Sequence, residues 1–134
     1  MILREVLHAH LPVLYKEDTV RDAVDKMDVY QFPALVVIDE DRKPIGIVTE
    51  GDLVRAAQQK DSMTSLANDP AHIYGAIDPV TASPESDIGD AFHRMQMSGL
   101  TLLPVVEDSK LLGVVMRMDL MQALFLDSQS RSGG

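Results

Sequence analysis

A ten-residue segment occurs twice in this chain, and the second copy begins 67 positions after the first, at residue 111 against residue 44. The two copies align Gly46 with Gly113 and Asp52 with Asp119. In each copy an apolar run is followed three residues later by Asp-Leu, a pattern that predicts a buried strand leading into a helix that starts near the aspartate. The chain is therefore predicted to contain two copies of one unit. The strand-to-helix junction is the first place to search for a ligand site.

A second repeated pattern lies ahead of each of these segments. Four apolar residues spaced as i, i+3, i+4 and i+7 predict one buried face of a helix. They are Val20, Ala23, Val24 and Met27 in the first half, and Ile88, Ala91, Phe92 and Met95 in the second. An apolar strand follows each helix, over residues 34–38 and 102–106. Each half is thus predicted to run strand, helix, strand, strand, helix, with length differences confined to loops.

These patterns divide the chain into four predicted segments. Residues 1–60 form the first repeat, residues 61–72 a polar linker, and residues 73–126 the second repeat. Residues 127–134 are rich in Ser and Gly, which predicts a disordered tail.

Composition narrows the classes of partner. The net charge of −9 disfavours nucleic acid, because such a surface repels phosphate backbones. No apolar run reaches the roughly 18 residues of a membrane span, so no membrane association is predicted. The chain has no Cys, which fits a reducing compartment, and a cytoplasmic location is predicted.

Residue patterns typical of catalysis are absent from the sequence. It has no Gly-x-Ser-x-Gly, His-Glu-x-x-His or Walker motif, and no Cys nucleophile. His8 and His10 are two positions apart and would not share a helix face, so they are interpreted as surface residues and no metal site is predicted. The chain is predicted not to be an enzyme.

Taken in order, these motifs resemble the tandem cystathionine-β-synthase (CBS) domain pair, or Bateman module. The resemblance covers residues 1–126 and rests on segments that occur in both halves: residues 19–27, 32–37 and 46–53, then 88–95, 103–106 and 113–120. It implies an α+β fold in which two β-α-β-β-α repeats pack through their sheets with pseudo-two-fold symmetry. It also implies a regulatory sensor, usually a homodimer, that binds AMP, ADP, ATP or S-adenosylmethionine as a regulatory ligand and requires no cofactor.

The resemblance further implies two ligand clefts, each completed by the opposite repeat. The first would use Ile47, Thr49, Asp52, Ile77, Asp78, Val80, Leu102, Leu103 and Pro104. The second would use Leu11, Val13, Gln31, Phe32, Pro33, Val114, Met116, Arg117 and Asp119. In the family the junction Asp accepts hydrogen bonds from the ribose hydroxyls, and the helix N-terminus beside it suits a phosphate.

The sequence departs from the family pattern at both junctions. Met116 stands where the pattern has Thr or Ser, which makes the second cleft the poorer match. Glu50 lies inside the first motif, and Tyr30-Gln31 replaces the basic residues that tend to precede the hydrophobic-Pro pair in nucleotide-binding relatives. A ligand with little negative charge is therefore as consistent with the sequence as ATP.

Three alternatives stay open at this point. Thr49 and Asp52 could serve only to cap a helix. The module could be a ligand-free scaffold for dimerisation or protein docking, or the chain could be the regulatory fragment of a larger enzyme or transporter.

Overall fold

The computed structural model describes the backbone of residues 1–133 and the side chains of residues 1–128. Within that part of the chain, four α-helices and two sheets confirm the predicted α+β class. The strands are β1 (Val13–Leu14), β2 (Ala34–Ile38), β3 (Pro44–Thr49), β4 (Ala76–Ile77), β5 (Leu102–Glu107) and β6 (Lys110–Met116). The helices are α1 (Val20–Tyr30), α2 (Glu50–Gln59), α3 (Ile88–Ser98) and α4 (Arg117–Gly133), and short 3₁₀ turns cover Leu3–Glu5, Thr64–Leu66 and Ala71–Tyr74.

The chain folds as two compact units whose boundaries differ from the predicted segments. One unit contains residues 11–79, and the other combines residues 1–10 with the second repeat from residue 80 onward. Residues 1–10, assigned to the first repeat by the sequence analysis, thus belong to the unit of the second. The backbone of residues 127–133, in the segment predicted to be a disordered tail, lies within α4, and residue 134 lies outside the described part of the chain.

The unit of residues 11–79 is built on a sheet with strand order β1-β2-β3-β4. β1 runs parallel to β2, and the other pairs are antiparallel. All five residues of β2 are buried, as its continuous apolar run predicts. The apolar side chains of α1 and α2 pack with those of the sheet in one cluster, which comprises Leu14, Val20, Ala23, Leu35, Val37, Val48, Leu53, Ala56, Leu66 and Ala71.

The other unit repeats this plan with shorter outer strands. β5 and β6 pair antiparallel in the centre. Ala82 makes a parallel bridge to Val105 on one side, and His8 makes an antiparallel bridge to Val114 on the other. The core cluster comprises Leu3, Ala82, Ile88, Ala91, Met95, Leu103, Val105, Val115, Leu120 and Ala123.

The segment that precedes each repeat packs in the unit of the opposite repeat. Leu3, in the 3₁₀ turn ahead of the first repeat, is fully buried in the core cluster of the second. Ala71, its counterpart 68 positions later, is fully buried in the cluster of the first. The backbone fixes this arrangement, since Leu3 N–H donates to the carbonyl of Ser86 at 3.0 Å. The two repeats therefore exchange equivalent leading segments along the chain.

This exchange explains the glycine that each repeat carries in its strand before the junction. A Cβ on Gly46 would lie 2.9 Å from the carbonyl oxygen of Ala76, and a Cβ on Gly113 would lie 2.5 Å from that of His8. Both distances are too short for a carbon beside a carbonyl oxygen. Gly46 and Gly113 thus give the leading segment room to cross beside the strand.

Replacing Gly113 by Ala is expected to lower the free energy of unfolding by about 1–3 kcal/mol, as other overpacked sites do. The His8 carbonyl cannot retreat cheaply, because it accepts a hydrogen bond from Val114 N–H at 3.1 Å. Urea denaturation followed by circular dichroism measures the loss. Gly89→Ala in helix α3 is the control, since its Cβ would meet only the end of the Asp87 side chain, and we expect a change below about 1 kcal/mol. Equal stability of the two variants would contradict the explanation.

Candidate ligand-binding site at the strand-to-helix junctions

The first junction joins β3 to α2 through reciprocal hydrogen bonds. Thr49 N–H donates to Asp52 Oδ2 at 2.9 Å, and Asp52 N–H donates to Thr49 Oγ1 at 3.1 Å. This capping box places the first helical residue at Glu50, two positions before the predicted start near Asp52. Thr49 Oγ1 and Asp52 Oδ2 therefore already accept hydrogen bonds from the backbone at the start of α2. The second carboxylate oxygen, Oδ1, remains for other partners.

Arg55 supplies a cation at this junction. Its Nη2 lies 2.6 Å from Asp52 Oδ1, and its guanidinium passes close to Gly51, where a Cβ would be 3.3 Å from Nη1. The Asp52 side chain is only 16% exposed, whereas that of Arg55 is 66% exposed. Arg55 was not predicted from the sequence, because basic residues were expected only before the hydrophobic-Pro pairs and between Thr49 and Asp52. The i, i+3 spacing from Asp52 to Arg55 on one helix was the signal available.

Glu50 and Pro33 also lie at this junction. Glu50 N–H donates to the carbonyl of Pro33 at 3.0 Å, which ties the start of α2 to the segment leading into β2. Glu50 lines a groove between α1 and α2. Asp52 and Arg55 form the ion pair at the start of α2.

Three further residues assigned to the first cleft lie in the same unit as Thr49 and Asp52. Ile47 is buried opposite Ala76 of β4, while Ile77 pairs with Gly46 and is largely exposed. Asp78 follows β4 in a left-handed conformation with φ of 49° and is exposed. The remaining residues assigned to this cleft belong to the other unit; they are Val80, Leu102, Leu103 and Pro104.

The second junction joins β6 to α4 with different chemistry. Met116 N–H donates to Asp119 Oδ2 at 2.8 Å, as Thr49 N–H does to Asp52, but Met116 has no hydroxyl to complete the box. His8 Nε2 lies 2.9 Å from the same Asp119 oxygen. The two atoms form an ion pair whenever the imidazole is protonated. A carboxylate that was predicted to face a ligand thus lies beside a histidine from the N-terminal segment.

Other residues assigned to the second cleft are divided between the units. Val114 and Arg117 lie in the same unit as Asp119, with Val114 buried and Arg117 exposed. Gln31 ends α1 in a left-handed conformation, and its Nε2 donates to the carbonyl of Asp28 at 2.6 Å. Like Gln31, the remaining members belong to the unit of residues 11–79; they are Leu11, Val13, Phe32 and Pro33.

The sequence analysis interpreted His8 as a surface residue, and its contact with Asp119 was missed. The repeat spacing gave a counterpart for His8, but the strand pairing of that counterpart is known only from the structure. His8 lies 68 positions before Ala76, the β4 residue that pairs with Ile47 in the motif strand.

The described residues also bear on metal binding and on membrane spans. They contain no cluster of three or more His, Cys, Asp or Glu side chains able to hold a metal ion. Within the same part of the chain, no helix combines the length and apolar character that crossing a membrane requires.

Two strand-helix-strand-strand-helix repeats, each with a glycine in the motif strand and an aspartate in the first turn of the next helix, define a tandem-repeat module. The chain belongs to the CBS domain family, whose model matches residues 3–59 and 75–126. The resemblance seen in the sequence is thereby confirmed.

Known proteins are similar to this chain over most of its length. It is 32% identical over 107 residues to the uncharacterized 17.7 kDa protein in the bps2 3' region of Acidianus ambivalens, which is 79% of this chain and 62% of that protein. The chain spans 14% and 43% of the lengths of two further curated relatives.

Two solved structures share the fold. One is CBSX2 in complex with AMP, with a TM-score of 0.81, 20% identity, and coverage of 95% of this chain and 98% of that one. The other is the CBS domain pair of protein MJ0100 in complex with 5'-methylthioadenosine and S-adenosyl-L-methionine, with a TM-score of 0.79, 17% identity, and coverage of 95% and 98%.

Proposed function

We propose that this chain is a regulatory module that binds an adenosyl ligand at the β3–α2 junction. The observation that carries the proposal is the arrangement of Thr49, Asp52 and Arg55 at the start of α2 in a chain of the CBS domain family. The ligands named for the two similar structures, AMP in one and S-adenosyl-L-methionine with 5'-methylthioadenosine in the other, support the same chemical class. Val80, Leu102, Leu103 and Pro104 stay a prediction from the sequence as further members of this site.

The chemistry of the junction suits a ribose next to a small charge. Asp52 Oδ1 accepts hydrogen bonds and is only lightly exposed, so ribose hydroxyls that donate to it would gain charge-assisted bonds. Arg55 is largely exposed, so its long side chain can turn away from Oδ1 and its guanidinium can pair with a phosphate. One nearby cation balances little negative charge when Glu50 and Asp52 lie in the same turn. AMP or S-adenosylmethionine is therefore proposed as a better ligand than ATP.

Calorimetric titration of the full chain with AMP, ADP, ATP and S-adenosylmethionine tests this proposal. We expect saturable heat with AMP or S-adenosylmethionine, and weaker binding of ATP. An adenosyl ligand that co-purifies would absorb near 260 nm above a protein with three Tyr and no Trp. The absence of both heat and a melting shift with all four compounds at millimolar concentration would overturn the proposal.

A second candidate function is a dimeric scaffold, favoured by apolar side chains left exposed on the helices. In the unit of residues 11–79, a groove of about 460 Å³ between α1 and α2 is lined by Val24, Met27, Phe32, Leu53, Val54 and Met63, among others. On α4 of the other unit, Met118, Met121 and Phe125 are exposed at i, i+3 and i+7. We propose that such faces join two copies of the chain. Sedimentation velocity would report a dimer, and a scaffold without a ligand would be dimeric yet silent in the calorimetric titration.

The location of the protein in the cell and its role within a larger protein are also proposals. A cytoplasmic location is consistent with a chain that lacks Cys. Because the chain covers only part of the length of several relatives, a role as the regulatory part of a larger enzyme or transporter is a further candidate.

A further inference from the structure

The first junction contains a small space that a side chain at residue 51 would fill. Gly51 is the second residue of α2 and is exposed. A Cβ at this position would lie 3.3 Å from Arg55 Nη1 and 3.7 Å from Thr49 Oγ1. The guanidinium and the hydroxyl therefore approach the same side of Gly51, and their polar atoms border the space that its missing side chain leaves.

Both groups that border this space can donate hydrogen bonds to an anionic oxygen. Arg55 contacts Asp52 Oδ1 through Nη2 at 2.6 Å, whereas Nη1 is the guanidinium nitrogen beside Gly51. Thr49 Oγ1 accepts from Asp52 N–H at 3.1 Å, and its hydroxyl proton makes it a donor as well. Charge-assisted bonds from a guanidinium to phosphate are among the stronger hydrogen bonds in proteins. The space beside Gly51 therefore suits a phosphate oxygen.

The second repeat has different residues at all three positions. Counted 67 positions on from Thr49, Gly51 and Arg55, they are Met116, Met118 and Gln122. A thioether thus replaces the hydroxyl, a neutral amide replaces the cation, and a long side chain that is 69% exposed replaces the glycine. The junction aspartate, by contrast, occurs in both repeats. The three differences together remove both donors and the space between them.

Neither the backbone nor the packing requires glycine at residue 51. Its backbone is helical, a conformation that most residues adopt more readily than glycine does, by up to about 1 kcal/mol. A Cβ here would meet the ends of the Thr49 and Arg55 side chains, whereas a Cβ on Gly46 would meet the carbonyl oxygen of Ala76. A ligand group that occupies the space gives the glycine a physical reason.

We infer that Gly51 is a specificity-determining residue that, with Arg55, makes the first junction select adenosyl ligands with an anionic 5′ group over neutral ones. The inference rests on the proposed function, because it concerns the same ribose at Asp52. One guanidinium joins the two parts of the site, with Nη2 at Asp52 Oδ1 and Nη1 beside Gly51. A 5′-phosphate is joined to the ribose ring through one methylene group, so it lies close to a ribose held at Oδ1. The ligand class is therefore the adenosine 5′-phosphate, ahead of S-adenosylmethionine, whose 5′ group is a cationic sulfonium.

Calorimetric titration of the full chain with AMP and with 5′-methylthioadenosine tests the inference, because these ligands share adenosine and differ in the charge of the 5′ group. We expect the wild type to bind AMP about tenfold more tightly. Gly51→Met and Arg55→Gln, which copy the second repeat, should each bring the ratio of the two affinities close to one. Arg55→Gln should leave the affinity for 5′-methylthioadenosine nearly unchanged.

Gly89→Met is the matched control. Gly89 is also the second residue of a helix, and its Cβ would meet only Asp87 Oδ2. This variant should keep the wild-type ratio of affinities. Should Gly51→Met fail to fold, which its melting curve would show, Gly51→Ala decides by the same ratio. A glycine with a purely structural role would instead lower the melting temperature and both affinities together.

The outcomes separate this inference from the proposed function. Equal affinities of the wild type for AMP and 5′-methylthioadenosine overturn the inference and leave the proposed function standing, as does tighter binding of S-adenosylmethionine than of AMP. A preference for AMP that survives in either Gly51→Met or Arg55→Gln also overturns the inference alone. The absence of binding by the wild type with all three ligands overturns both.

Discussion

Deleting residues 1–8 is expected to unfold the second repeat while the first repeat keeps its structure. Leu3 is fully buried in the second repeat's core, and Met1, Val6 and Leu7 pack against the same cluster. Full burial of a side chain such as leucine contributes about 1.5–3 kcal/mol. The deletion also removes the backbone pairing of His8 with Val114. The summed loss of roughly 5 kcal/mol or more is a large part of the about 5–15 kcal/mol that stabilises an ordinary domain.

Hydrogen exchange read by mass spectrometry would locate the loss. We expect amides of β5 and β6 to lose protection in the deletion variant, whereas those of β2 and β3 stay protected. The point variant Leu3→Ala should lower the free energy of unfolding by about 2–5 kcal/mol. Arg4→Ala is the matched control, since the exposed Arg4 pairs with Glu85 and Glu107 at the surface, and we expect a much smaller loss than for Leu3→Ala. Loss of protection mainly in β2 and β3 would contradict the exchanged arrangement.

The exchange of the leading segments was not predicted from the sequence. Periodicity reports which residues share a face of one element, and it located the four helices from patterns such as Val20, Ala23 and Met27. It does not report which core a short segment joins. Leu3 and Ala71 occur at equivalent positions of the repeat, but only long-range contacts assign each of them to the opposite unit. Gly46 and Gly113 were likewise evident as a repeated pair, while the carbonyl groups that require them were not.

The apolar face predicted for α1 was also only partly buried. Val20 and Ala23 lie in the core, but Val24 is 36% exposed and lines the groove between α1 and α2. The four apolar residues span a wider arc of the helix surface than the part that packs against the sheet. The sequence pattern marks every apolar position without indicating which ones the fold leaves at the surface.

At the site, the sequence indicated the junction residues Thr49 and Asp52 but not the side chains that contact the two junction aspartates. The motif located Thr49 and Asp52 at a strand-to-helix junction, because a strand, a capping residue and a helix are all encoded within ten residues. Arg55 was missed although it is local, since the expected pattern did not include it. His8 could not have been assigned to Asp119, 111 positions away, without knowing that the leading segments exchange.

Asp52→Ala is expected to weaken AMP or S-adenosylmethionine binding about tenfold to a hundredfold, because it removes the carboxylate proposed to accept from the ribose. Asp119→Ala should have a smaller effect, since Met116 supplies no hydroxyl beside Asp119, and Met116 N–H and His8 Nε2 both lie at its Oδ2. Calorimetric titration of each variant with the same ligand gives the comparison. Equal losses for the two variants would contradict the proposed ranking of the junctions.

The chain contains a matched control for the alternative that Asp52 only caps a helix. Thr19 and Asp22 form the same reciprocal pair at the start of α1, with N–H donors at 2.9 and 3.1 Å. The bond from Thr19 N–H holds the pKa of Asp22 below its ordinary value, as expected for a carboxylate fixed in a cap. Asp22→Ala and Asp52→Ala should therefore each remove one capping hydrogen bond and lower the stability of the protein to a similar, small extent. Only Asp52→Ala should also weaken the ligand. If the two variants bind the ligand equally well, then Asp52 acts as a cap alone, and the ribose must be held elsewhere.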